Sequence, residues 1–134
     1  MLRPLVLLLA LFAVLAFGKG KIPFGQQIKG HFTYFEDTGD GACGDPIDAN
    51  KQMLVAAPEA YWTGGDSDED PICKNVCVEV RYKNKKITVP VKDQCPSKYC
   101  KKDHFDMSVP AYKALEPDMD IGDVHGATFV FKKC

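Results

Sequence analysis

Two carboxylates stand where acid chemistry is possible. Asp106 lies in His104-Phe105-Asp106-Met107-Ser108, just ahead of a helix signal, and Asp93 closes the run Val89-Pro90-Val91-Lys92. An acid ahead of a helix also serves structure, because free N–H groups and the dipole favour a negative charge there. Facing a groove, the same group is a general acid or an acceptor for sugar hydroxyls. Glycoside hydrolysis needs a second carboxylate across the scissile bond. Asp93, Asp37 and Asp40 are the candidates, with Asp37 and Asp40 just after an aromatic segment. Sugar binding also wants flat rings against C–H faces. Tyr34, Tyr61, Trp62, Tyr99 and Tyr112 are available, and Trp62, the single tryptophan, sits beside a loop. No Ser-His-Asp order, Walker loop, HExxH or GxGxxG occurs.

The elements that must carry these residues read mainly as strands. His31–Phe35 is aromatic and β-branched, and Met53–Ala57 is a short apolar run. Val76, Val78, Val80 and Tyr82 alternate with polar partners, as do Ile87, Val89 and Val91, which predicts a hairpin turning at 83–86. Pro90 cannot donate to a ladder, so it belongs at an edge or a bulge. Ser108–Leu115 reads as a short helix with Ser108 as N-cap, Pro110 in the first turn and Pro117 beyond the end. Ala127–Lys132 is a last strand. The segment 38–44 carries three glycines, which permit close strand approach. Asp66, Asp68, Glu69 and Asp70 form an acidic loop, a solvated connection that lacks the glycine and distal Glu of an EF-hand. These elements suggest a small closed β-barrel.

The chain has 134 residues, 17 Lys+Arg and 18 Asp+Glu. That balance argues against nucleic acid, which demands a basic excess. One domain fits the length. Residues 1–18 have the features of a secretory signal peptide: Arg3, the apolar run 4–17, and small residues at Ala16 and Gly18. The run is too short for a spanning helix, so no membrane segment is expected. Residues 19–29 read as an extended leader and 30–134 as the domain. Six cysteines (43, 73, 77, 95, 100 and 134) behind an export signal imply three disulfides rather than zinc ligands or a nucleophile. Spacing leaves fifteen pairings open. No cofactor or metal is expected.

The residues also resemble a family. Thr33-Tyr34-Phe35, Gly41-Ala42-Cys43-Gly44, Val89-Pro90-Val91-Lys92-Asp93-Gln94-Cys95-Pro96 and His104-Phe105-Asp106-Met107-Ser108 are similar, in order and spacing, to the expansin-like domain. That group holds expansin N-terminal domains, rare lipoprotein A-like and barwin-like secreted proteins, and related endoglucanases. The resemblance implies a six-stranded double-psi β-barrel with one or two short helices. It implies the disulfides Cys43–Cys73, Cys77–Cys134 and Cys95–Cys100. It makes Asp106 the acid shared by expansins and endoglucanases, Asp93 a second acid, and Thr33 and Tyr34 groove positions. Phe35 stands where many members carry Tyr. No carbohydrate-binding module follows Cys134, so a full expansin is not expected.

The leading expectation is a secreted monomer. It would bind cellulose, chitin or peptidoglycan-type polysaccharide without cleaving it, through Asp106, Asp93, Thr33, Tyr34 and Trp62. The first alternative is a weak endoglucanase-like or lytic glycosidase with Asp106 as acid and Asp37 as base. The second is a protease inhibitor or defence protein that meets a protein target through the loop from Tyr61 to Asp70.

Overall fold

A computed structural model describes residues 21–134; the expected signal peptide and the start of the leader lie outside the described residues. Six strands close into a barrel in the order β1 (Ile28–Phe35), β7 (His104–Ser108), β4 (Val55–Pro58), β6 (Lys85–Cys95), β5 (Val76–Tyr82) and β8 (Val124–Lys133). β1 runs parallel to β7 and β4 parallel to β6, while the other neighbours are antiparallel. The short β2 (Thr38–Asp40) and β3 (Pro46–Asp48) pair with each other beside the barrel. The helix α1 (Val109–Leu115) follows β7 directly. Among the described residues, no helix is long and apolar enough to cross a membrane.

Strand alternation builds the core. Phe32, Phe105, Phe129 and Phe131 are buried inside, and Phe105 stacks on Phe129 at 4.2 Å between centroids. Tyr112 and Leu115 of α1 join the same cluster as Val78, Val80, Val89 and Val91. Burying one such side chain is worth roughly 1.5–3 kcal/mol. The alternation of β5 and β6 therefore makes one wall of the core.

Several boundaries move from the sequence reading. β1 starts at Ile28, so the end of the expected leader belongs to the barrel, and Gly25 N–H donates to the Phe131 carbonyl at 2.9 Å. The hairpin turn shrinks to Lys83-Asn84, with Lys83 at φ 53°. Pro90 pairs with Cys77, while pairing with β4 begins only at Val91, so its missing donor breaks no ladder. Ser108 precedes the helix as expected, but its side chain does not cap: its Oγ accepts from the Leu54 N–H at 3.1 Å.

The three disulfides are Cys43–Cys73, Cys77–Cys134 and Cys95–Cys100, and no cysteine is free among the described residues. Cys77–Cys134 ties β5 to the end of β8 across 57 residues. Cys43–Cys73 holds the glycine-rich segment against the loop that precedes β5.

Candidate functional site

A row of outward-facing positions crosses four strands. Thr33 on β1 lies opposite Asp106 on β7; Asp106 lies opposite Ala56 on β4; and Ala56 lies opposite Asp93 on β6. The pairing of β4 with β6 slips by one residue between Val55 and Ala56, so Val91 faces the core and Asp93 faces outward. Small Ala56 between the two acids leaves an open floor. The result is a cleft of about 420 Å³ lined by Phe35, Asp37, Asp40, Asp93, Tyr99 and Asp106, among others. The structure thus gathers on one cleft all four acids that the sequence singled out.

Burial pushes the Asp106 carboxyl up to about 6, helped by Asp37 and Asp93 and opposed by a hydrogen bond from Thr33. Burial also raises Asp93, against two backbone donors, Ala42 N–H and Gln94 N–H, each 2.9 Å from its Oδ1. Asp93 therefore clamps the glycine-rich segment onto the barrel. Gly41 is needed there, because a Cβ would lie 2.5 Å from the Lys92 carbonyl oxygen.

His104, which the sequence reading left unconnected, is joined to Asp106 through Thr33. Thr33 Oγ1 is 2.7 Å from His104 Nε2 and 2.9 Å from Asp106 Oδ1, and His104 Nδ1 is 3.1 Å from the Tyr99 carbonyl. Thr33 Oγ1–H donates to Asp106 Oδ1, so its oxygen is left to accept from His104 Nε2–H. Burial and the neighbouring His31 lower the His104 pKa. A protonated Asp106 is a competent proton donor at mildly acidic pH.

The aromatic expectations need correction. Trp62 is 1% exposed and its Nε1–H donates to the Ala57 carbonyl at 3.2 Å, so its ring cannot meet a ligand. Tyr34 shares the inward side of β1 with Phe32 and packs edge-on against Tyr112 at 5.1 Å. Its neighbours Thr33 and Phe35 take the other side of β1, where Phe35 lines the cleft and Thr33 bonds Asp106. Tyr61 is buried with its hydroxyl on the Lys102 carbonyl, and burial pushes its pKa to about 12. Tyr99 is the ring that the cleft exposes, at 66%.

A second surface is not part of the cleft lining. Between buried Trp62 and buried Asp70, residues 63–69 are all exposed. Asp70 closes the neck of this arch: Oδ2 accepts from Thr63 N–H at 2.8 Å and Thr63 Oγ1 at 2.6 Å, and Oδ1 accepts from Ile72 N–H at 3.1 Å. Cys73 anchors the far side through its disulfide to Cys43. Gly64-Gly65 follows the neck directly, with Gly64 at φ 86°. The arch is thus exposed, narrow and pinned at both ends.

A parallel-crossed six-stranded barrel with this acid row defines a class, and comparison agrees. Residues 27–125 match a family model described as lytic transglycolase, and the chain belongs to the rare lipoprotein A-like double-psi β-barrel family. A papain inhibitor of Streptomyces mobaraensis is 49% identical over 110 residues, covering 82% of this chain and 75% of that protein. The solved Streptomyces papain inhibitor superposes with a TM-score of 0.80 at 48% identity, over 84% of this chain and all of that one. An expansin of Clavibacter michiganensis, solved in complex with cellohexaose, shares the fold at a TM-score of 0.63 and 23% identity, over 81% of this chain and 51% of that one.

Proposed function

We propose that this protein is an exported inhibitor of papain-like cysteine proteases that docks through the arch at residues 63–69. The observation that carries the reading is the 49% identity to a papain inhibitor across most of the chain. The arch supplies a physical means. Gly64-Gly65 gives one limb of the arch bare backbone that a protease cleft can approach without side-chain bulk. The Asp70 neck and the Cys43–Cys73 bridge hold it in shape beforehand, which removes ordering entropy from the cost of binding. Three disulfides suit an oxidising, extracellular setting.

The test is residual papain activity against inhibitor concentration for the wild type, Gly65→Arg and Asp106→Ala. Gly65 has negative φ or extended backbone, and its Cβ position meets only Thr63 Oγ1 at 3.8 Å, so the arginine fits the fold and blocks docking. The wild type and Asp106→Ala inhibit alike, while Gly65→Arg loses at least about tenfold, or 1.4 kcal/mol. A wild type without inhibition overturns the function, and an undiminished Gly65→Arg overturns the docking site.

The acid cleft favours a second reading, binding of a polysaccharide chain. Asp37, Asp93, Asp106 and exposed Tyr99 share one trough, and the expansin of the same fold was captured with cellohexaose. Retention on cellulose, chitin or peptidoglycan that falls in Asp106→Ala supports it, and no retention on any of the three refutes it. Release of reducing ends, lost in both Asp106→Asn and Asp37→Asn, would assign hydrolysis.

A further inference from the structure

The chain has three histidines, and all three stand in one row. His31 on β1 lies opposite His104 on β7 and opposite His125 on β8. The rings stack, with centroids 4.3 Å apart for His31–His104 and 4.6 Å for His31–His125. A bulge makes the second contact. Ala127 pairs with Gly30, then the register slips, and Gly126 at φ 88° takes up the extra residue, so His125 rather than Gly126 meets His31. Asp123, just before β8 begins, sits against both: its Oδ1 is 2.6 Å from His31 Nδ1 and its Oδ2 is 3.4 Å from His125 Nε2.

We infer that His31, Asp123 and His125 form a binding site for a divalent transition metal, with zinc as its simplest occupant. Each residue offers one ligand atom, and these atoms lie within 4.8 Å of one another. Bonds of about 2.0–2.1 Å set ligand atoms about 3.4 Å apart in a tetrahedron, so wider pairs close by less than about two ångström while the 2.6 Å His31–Asp123 pair opens. The movable part is His125, whose side chain is 73% exposed and whose ring turns out of the stack to bind. The metal takes the lone pair of neutral His31 at Nδ1, so the ring carries its one proton on Nε2 when bound. Two imidazoles and a carboxylate suit zinc or copper, whereas calcium and magnesium want oxygen ligands throughout. Three protein ligands leave a fourth position for water or a partner's side chain. None of His31, Asp123 and His125 lines the acid cleft or belongs to the 63–69 arch, so the inference stands or falls apart from the proposed function.

The experiment is calorimetric titration of Zn²⁺ into metal-free, oxidised protein, beside His125→Ala, Asp123→Asn and a Ca²⁺ titration of the wild type. Both substitutions fall on exposed side chains, and unchanged melting of the unmetallated variants confirms their fold. Loss of a mere outer partner costs roughly 10–100-fold in metal affinity, so removal of a ligand costs at least that much. The expected result is one Zn²⁺ per chain, affinity at least about tenfold lower in each variant, and no Ca²⁺ binding. Absence of Zn²⁺ binding by the wild type, or equal affinity in either variant, overturns the site.

Discussion

Replacing Asp106 with Asn should make the protein more stable at neutral pH. The folded carboxyl titrates at about 6, against an ordinary value of 3.8, chiefly because the barrel wall removes water from it. Folding therefore opposes ionisation. Below about pH 4 the group is protonated in both states and costs nothing. Between about pH 4 and 6 the unfolded chain loses the proton that the folded chain keeps, so stability falls as pH rises. Above pH 6 the full cost stays in place, about 2–3 kcal/mol from the span between the two values. Asparagine keeps the shape, still accepts from Thr33 and carries no charge. The stability of Asp106→Asn minus that of the wild type, from guanidinium denaturation with disulfides intact, should be near zero at pH 3.5. It should climb through pH 4–6 and level off near 2 kcal/mol at pH 7, less whatever the amide loses in partners. A difference that is flat with pH, or a variant less stable than the wild type at pH 7, would refute the assignment of Asp106 as a carboxyl held above its normal range by burial.

Further outcomes follow from the same contacts. Removing the Cys77–Cys134 bridge with paired alanines should cost about 4 kcal/mol by the chain-entropy argument for 57 residues, read as a lower denaturation midpoint; an unchanged midpoint would deny its role in tying β8 to β5. Gly41→Ala must push against the Lys92 carbonyl, so melting should fall by several degrees, with faster exchange of the Ala42 amide that Asp93 holds. Trp62→Phe loses the bond to the Ala57 carbonyl and some core packing, and should cost about 1–3 kcal/mol while leaving any retention on polysaccharide intact; loss of retention at full stability would restore the ring to the ligand site. Tyr99→Ala should shift stability by no more than about 0.5 kcal/mol, because the ring is exposed, yet weaken polysaccharide retention if the cleft binds sugar.

The sequence was most informative where periodicity and motif coincide. Alternation from Val76 to Val91 defined β5 and β6, and the ordered motifs carried the barrel and its three disulfide pairs. Asp106 and Asp93 were legible because they stand at element ends inside those motifs. The side on which a ring falls was less legible. Tyr34 and Trp62 look like platforms by type, but strand parity turns one inward and an apolar pocket swallows the other. Two register slips were invisible as well. One brings Asp93 across from Ala56, and the other sets His125 beside His31. A bulge follows from the closure of the whole barrel, and a single proline or glycine in the chain does not announce which residues will meet. His104 joins Asp106 only because β1 and β7 run parallel in register, a pairing of segments some seventy residues apart.

Amide hydrogen exchange on the oxidised protein, alone and with active-site-blocked papain, reads the protease-docking surface directly. Slowed exchange confined to the arch at residues 63–69 and its neck is the expected result. Protection centred on the cleft around Asp106, with the arch exchanging as in the free protein, would contradict it.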